Sequence, residues 1–210
     1  MVSLKKKFIL THPTKCAGTS LRSILRENKL LDLDDGHIGF EPIANWLRDE
    51  HDEGWEDYRK ISLSRNPWDR VVSYYHHNKS GAIREWYKSN HHCADRSERI
   101  IFFCAMTFAE FVKSNYIDSM HCRRWWCYEN KNVIEEIIKF ETLNEDTEKF
   151  MESIGVEDFI LPKITHATNR PQIDNDYRSY YTDELASIVA KKFQYEIDFC
   201  GHTFDGGIVS

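Results

Sequence analysis

A short apolar run passes directly into a loop of small residues and then into a helical repeat. Lys7-Phe8-Ile9-Leu10-Thr11 suits a buried strand, and an apolar residue recurs at Leu21, Ile24 and Leu25, the spacing of one helix face. A strand that turns through a short loop into a helix is the building unit of parallel α/β sheets. The order of these segments therefore predicts an α/β protein and argues against all-helical and all-strand folds.

The loop between this strand and this helix has the composition of an anion cradle. In such loops the backbone N–H groups converge, the helix dipole adds partial positive charge, and a lysine completes the site. The cradle residues follow one another as Lys15, Cys16, Ala17, Gly18, Thr19 and Ser20. Because the lysine precedes the glycine, the loop is not a Walker A motif, and an ordinary strand-to-helix turn is the alternative interpretation.

A second strand pattern, at residues 58–65, ends in Arg65 and is followed by an Asn-Pro pair that suits the start of a helix. Ligands of open α/β sheets gather at the carboxyl ends of strands. We therefore expect Arg65, together with Ser73 in the helix, to hold a second phosphate, the arginine through bidentate hydrogen bonds. The alternative is that Arg65 and Arg70 pair with carboxylates such as Asp69.

The remaining chain alternates in the same way. Apolar periodicity predicts a further strand at residues 132–140. It also predicts three further helices, at residues 41–50, 144–154 and 183–199. Residues 80–100 are polar and irregular, and we expect a mobile insertion there. Since no repeat or linker interrupts the pattern, we expect a single domain over residues 1–210, with three layers in which helices flank a central parallel sheet.

Charge is segregated along the chain, although the formal net charge is −6. Residues 1–30 hold seven Lys or Arg against Glu27 alone, and residues 59–90 hold seven against Asp69 and Glu85. Two basic stretches in an otherwise acidic protein favour a local anion site over a general affinity for nucleic acid. Two solvated helix faces would give the same balance, so charge alone does not decide.

Cysteine usage and hydropathy suggest the compartment. The six cysteines follow no disulfide framework, no apolar run approaches 18 residues, and the amino-terminal apolar stretch is too short for a signal-peptide core. We expect reduced thiols in a cytoplasmic protein without a membrane span. A zinc site is the alternative for the one cluster of potential ligands, but its spacing lacks the paired pattern of structural sites. The cluster comprises His91, His92, Cys93, His121, Cys122 and Cys127.

The two motifs, residues 15–21 and 65–74, resemble those of the PAPS-dependent sulfotransferases. The similarity is closer to the carbohydrate branch, which includes heparan sulfate 2-O-sulfotransferase and short bacterial and viral members. Four further segments resemble family segments in the expected order, at residues 36–40, 139–143, 177–182 and 199–204. The chain departs from the family at one point, because Thr14 separates Pro13 from Lys15 where the family usually has proline directly before the lysine.

The resemblance implies a P-loop-like fold and a defined reaction. A sulfuryl group would move from 3′-phosphoadenosine 5′-phosphosulfate (PAPS) to a hydroxyl by in-line displacement, leaving adenosine 3′,5′-bisphosphate (PAP). Residues 15–20 would bind the 5′-phosphosulfate, with Lys15 at the leaving phosphate oxygen, and Arg65 and Ser73 would bind the 3′-phosphate. His37 would be the general base, and no metal would be required.

The resemblance places later nucleotide contacts loosely at Thr168, Asn169 and Arg170. The acceptor it implies is a carbohydrate or another hydroxyl-bearing small molecule, and the pairs His91-His92 and Arg123-Arg124 suit an anionic one. Two functions of other kinds remain as alternatives: a P-loop nucleotide kinase, and a non-catalytic module that binds a nucleotide or anion. The kinase would need a lysine after the glycine and an acidic metal ligand at a strand end. The oligomeric state is left open by the sequence.

Overall fold

The computed structural model of the chain describes residues 1–35, 37–88, 103–156, 159 and 176–206. The strands are β1 (Val2–Ser3), β2 (Phe8–Thr11), β3 (Arg59–Ser64), β4 (Cys127–Tyr128), β5 (Lys131–Asn132) and β6 (Glu136–Lys139). The α-helices are α1 (Gly18–Glu27), α2 (Phe40–His51), α3 (Pro67–Lys88), α4 (Phe108–Lys113), α5 (Arg123–Trp126), α6 (Leu143–Ser153), α7 (Asp183–Lys192) and α8 (Gln194–Cys200). Short 3-10 turns occur at Trp55–Asp57, Asn115–Met120, Phe140–Thr142 and Tyr177–Tyr180.

The chain forms two compact units. The first comprises Met1–Arg65 and His121–Thr165, and the second comprises Asn66–Met120 and His166–Ser210. The first unit contains the sheet β1-β2-β3-β6, in which β1 pairs antiparallel and the other neighbours pair parallel. A mostly parallel sheet confirms the predicted α/β class.

Helices cover both faces of this sheet, because successive strand residues point to opposite sides. Phe8 and Leu10 of β2 pack with α1 and α6, whereas Ile9 packs on the other face with Phe40 and Ile43 of α2. Each strand side chain on β2 is fully buried, which explains why the run reads as continuously apolar rather than alternating. The predicted three-layer arrangement is therefore present within the first unit.

The carboxyl ends of the parallel strands lie along one edge. Thr11 pairs with Ser62, and Ser64 pairs with Lys139, so the residues that follow β2, β3 and β6 emerge side by side. This register places the loops that begin at His12, Arg65 and Phe140 at the same edge of the sheet.

The second unit has its own core, in which α3, α4 and α7 pack against one another. Asn66 begins α3 as predicted, because its Oδ1 accepts a hydrogen bond of 3.1 Å from the Trp68 N–H. The Trp68 indole donates to the carbonyl of Ala186 in α7 at 3.0 Å, and the Tyr181 hydroxyl donates to the Trp68 carbonyl at 2.9 Å. These bonds fix the first turn of α3.

Three predicted elements need correction. Helix α3 continues to Lys88, so the first part of the 80–100 stretch predicted as irregular is helical, and its remainder, residues 89–100, lies outside the described residues. The strand predicted at 132–140 is limited to β6, after a separate hairpin strand β5. The last helix is divided at Phe193, whose φ of −107° departs from helical geometry while its ring is buried.

No helix in the described part of the chain is long and apolar enough to cross a membrane.

Candidate functional site

The loop after β2 is strained in the way an anion-binding loop requires. Lys15 and Ala17 adopt left-handed backbone angles, with φ of 69° and 62°, although neither is a glycine. Such conformations are uncommon for these residue types and turn backbone N–H groups towards a common point. The amides of Ala17, Gly18 and Thr19 donate to no acceptor among the residues that the structure describes. The N-terminus of α1 thus presents uncapped donors, as its lack of a side-chain cap also shows.

Gly18 is required by the close approach of a histidine ring. A Cβ built on Gly18 would lie 2.2 Å from both Cγ and Nδ1 of His12, far inside any allowed contact. His12 follows β2 directly and is only 4% exposed. Cys16 is fully buried beside the same core, as expected for a small side chain at a turn.

His12 also contacts His37, the predicted base. The two ring centroids are 5.0 Å apart with an edge-to-face angle of 65°. Burial, followed by the neighbouring His37, lowers the pKa of His12 to about 3, so its ring is neutral at physiological pH. The buried Nε2 atom of His12 has no hydrogen-bond partner in the described portion of the chain. His12 therefore joins the cradle glycine to His37.

The loop that precedes His37 is anchored on α1. Arg22 and Arg26 both pair with the carboxylate of Asp34, and these two arginines lower the pKa of Asp34 against the effect of its burial. The side chain of Asp35 then accepts a hydrogen bond of 3.0 Å from the backbone N–H of His37. His37 itself is exposed. The base predicted from the sequence is thus solvent-accessible and held beside the cradle.

Arg65 lies against the cradle from the end of β3. Its Nη1 donates to the carbonyl oxygen of Lys15 at 3.2 Å, and its guanidinium lies 4.0 Å from the ring centre of Phe140. Burial, with Arg65 as the next cause, lowers the pKa of Lys15. No carboxylate among the described residues pairs with Lys15. Two cations held together in this way fit a site whose ligand brings negative charge.

The remaining phosphate-binding predictions concern the second unit and residues outside the described part of the chain. Ser73 lies in α3 of the second unit, where its buried Oγ has no hydrogen-bond partner among the described residues. Arg70 pairs with a carboxylate, as the alternative interpretation expected: its Nη2 donates to Glu196 at 2.7 Å and to the Met120 carbonyl at 2.9 Å, inside the core of that unit. Thr168, Asn169 and Arg170 lie outside the described residues.

One member of this site, His12, was missed by sequence reasoning. The sequence contained a signal for it, because a histidine stands directly after a buried strand, at the edge where ligands gather.

Of the potential metal ligands, His91, His92 and Cys93 lie outside the described residues. Among the residues that are described, no three His, Cys, Asp or Glu side chains form a group that could hold a metal ion.

A family model of the sulfotransferase domain matches residues 55–196, about two thirds of the chain. The chain therefore belongs to the sulfotransferase domain family, whose members have a P-loop-like fold and transfer a sulfuryl group to an acceptor. The match contains Arg65 and Ser73 but begins after the cradle and His37. No curated protein and no solved structure matches the chain.

Proposed function

We propose that the chain transfers a sulfuryl group from PAPS to a hydroxyl of a carbohydrate acceptor. The observation that supports this most strongly is the contact chain from Gly18 through His12 to His37, which holds a solvent-accessible histidine beside an uncapped anion cradle. A general base must lie next to the transferred group, whereas an anion-binding module needs only the cradle.

Each residue of the cradle has a defined task in this proposal. The amides of Ala17, Gly18 and Thr19, with the Thr19 and Ser20 hydroxyls, bind the 5′-phosphosulfate. Lys15 stabilises the negative charge that develops on the leaving phosphate oxygen, as preorganised cations do in related group transfers. The left-handed backbone of the loop supports this assignment, because strain of this kind is retained where it positions donors.

His37 accepts the proton of the attacking hydroxyl. As the acceptor oxygen bonds to sulfur, the bond between sulfur and the bridging phosphate oxygen breaks, and that oxygen leaves as part of PAP. In this proposal Lys15 and the cradle amides hold the leaving phosphate, and His37 holds the attacking hydroxyl. Holding both reacting groups in line lowers the entropic part of the barrier. A metal has no assigned role in the proposal.

Arg65 is proposed to bind the 3′-phosphate of the nucleotide. Its planar guanidinium suits bidentate binding of phosphate, and its stacking on Phe140 limits the orientations it can adopt. Ser73, Thr168 and Arg170 remain predictions from the sequence. A nucleotide kinase would need an acidic metal ligand at the end of a strand, whereas β3 ends at Ser64 and is followed by Arg65.

His37→Ala tests the proposed base. Its transfer of labelled sulfuryl groups from PAPS to saccharides should fall at least about 100-fold, the usual contribution of a general base, while its affinity for PAP stays within twofold. His51→Ala is the matched control, because His51 is likewise exposed and lies in the same unit. Equal loss of PAP binding, or unchanged transfer, would remove His37 from this role.

A further inference from the structure

A polar cavity opens next to the loop of the proposed base. It has a volume of about 530 Å³, within the range of small-molecule sites. Three segments of the first unit form its walls: the start of α2, helix α5, and the turn between β4 and β5. Gly39 at the start of α2 lies two peptide units from His37, a span of at most about 7 Å.

The cavity wall and the base loop are tightly connected. A Cβ on Gly39 would lie 2.5 Å from the carbonyl oxygen of Arg124, so only glycine permits this approach between α2 and α5. Helix α5 is in turn tied to the sheet, because Thr11 Oγ1 donates to the Trp125 carbonyl at 2.8 Å and the Trp126 indole donates to Ser62 Oγ at 2.9 Å. The cavity therefore has a fixed position relative to His12 and His37.

The chemistry of the walls defines what fits. Arg123, Arg124, Glu41, Glu129 and Asn130 line the cavity, and its described lining contains no aromatic or large aliphatic side chain. A phenol or steroid would need apolar walls. Guanidinium groups suit carboxylate and sulfate, whereas carboxylates and amides accept hydrogen bonds from hydroxyls.

The Arg124 side chain is positioned for an external anion. Its guanidinium lies 5.7 Å from the ring centre of Trp125, and no carboxylate among the described residues pairs with it. The carboxylates of Glu41 and Glu129 likewise have no cationic partner in the described structure. These exposed groups of both signs around one cavity suit a ligand that is itself both anionic and rich in hydroxyls.

We propose that this cavity is the acceptor subsite and that it takes a saccharide bearing a carboxylate or a sulfate. Arg124 binds the anionic group, and Glu41 and Glu129 accept hydrogen bonds from sugar hydroxyls. The inference rests on the proposed sulfuryl transfer for its biological role, but the binding it describes does not depend on the nucleotide.

Calorimetry with three disaccharides tests this subsite: one neutral, one containing glucuronate and one sulfated. Each is titrated with and without PAP, into the unsubstituted protein, Arg124→Gln and Lys131→Gln. Lys131 is the matched control, since it is an exposed cation of the neighbouring strand β5 that does not line the cavity. We expect both anionic disaccharides, or the one of them whose charge fits, to bind at least tenfold more tightly than the neutral one. Arg124→Gln should reduce the ratio of anionic to neutral affinity at least fivefold, whereas Lys131→Gln should leave that ratio unchanged.

Two results would overturn the acceptor subsite. One is equal affinity for neutral and anionic disaccharides, and the other is the same effect from Arg124→Gln as from Lys131→Gln. The affinity for PAP, measured in the same samples, separates this inference from the proposed function. Absent PAP binding would count against the sulfotransferase mechanism alone, because the disaccharide titrations without nucleotide still report on the cavity.

Discussion

At the scale of single residues, the site depends on close approaches that few side chains permit. Gly18 has no Cβ because the His12 ring occupies that space, and Lys15 and Ala17 hold left-handed angles without being glycine. His12 is the centre of this arrangement, since it touches the cradle on one side and His37 on the other. Within the part of the chain that the structure describes, the proposed base is therefore positioned by its ring contact with His12 and by the hydrogen bond from its backbone N–H to Asp35.

Gly18→Ala should disrupt the cradle. The added methyl cannot be accommodated without moving His12, and we expect the unfolding free energy to fall by about 1–3 kcal/mol together with at least tenfold weaker PAP binding. Gly81→Ala is the control, because a Cβ on Gly81 in α3 meets nothing within 4 Å. It should raise stability slightly, by about 0.5–1 kcal/mol, through helix propensity. Equal behaviour of the two variants in denaturation and calorimetry would contradict the packing argument.

The buried His12 should make the protein sensitive to acid. Its pKa is about 3 when folded and near 6.5 when unfolded, so between these values the unfolded chain binds a proton that the folded chain does not. Its contribution to the unfolding free energy therefore falls as the pH drops below about 6.5, by up to roughly 1.4 kcal/mol per pH unit.

His12→Phe keeps a planar ring against Gly18 and removes this titration. Urea denaturation of both proteins at pH values from 7 to 4 should show a shallower loss of stability for the variant. Parallel profiles would mean that His12 is protonated in the folded protein, contrary to its low pKa.

At the scale of elements, the sequence predicted most of the fold because local pattern and burial agree. The strand at Phe8–Thr11 and the helix at Phe40–His51 lie where apolar spacing places them. The sheet edge at Arg65 followed from strand direction alone. The break at Phe193 did not, because Phe193 continues the apolar spacing of the helix and nothing in that spacing marks a turn.

The site was only partly predictable for the same reason. Motif spacing indicated Lys15, Gly18 and Arg65, but the contact between His12 and His37 joins a strand end to a loop 25 positions later. Only the folded chain brings such positions together. The carboxylate that pairs with Arg70 also depended on tertiary structure, since Glu196 is 126 positions away in the sequence.

Breaking the pair Arg70–Glu196 should destabilise the second unit. Both side chains are nearly inaccessible, at 1% and 3%, so removing the Glu196 carboxylate takes an oppositely charged partner away from the buried Arg70 guanidinium. We expect Glu196→Gln to lower the unfolding free energy by about 3–5 kcal/mol. Arg48→Ala is the control, because it breaks an ion pair with Asp49 in which the side chains are 61% and 59% exposed. It should change the unfolding free energy by about 1 kcal/mol or less. Comparable losses in the two variants, measured by chemical denaturation, would show that the surroundings compensate the remaining Arg70 charge, contrary to this expectation.

At the scale of the whole molecule, an acidic chain concentrates positive charge where its strands end. The formal net charge is −6, yet Lys15 and Arg65 meet at one edge of the sheet, next to uncapped helix amides. We expect this local concentration of positive charge to attract the multiply charged nucleotide of the proposed reaction. Family membership agrees with a local site for an anion, because it establishes sulfuryl transfer, a reaction of anionic groups, as the reaction class.

The most direct measurement is calorimetric titration of the purified protein with PAP and, separately, with ATP and magnesium. The account predicts saturable PAP binding that does not require metal, little binding of ATP with magnesium, and weakening of the PAP affinity as salt screens the cradle. A preference for ATP with magnesium would contradict the PAPS donor site and move the protein's chemistry to phosphoryl transfer.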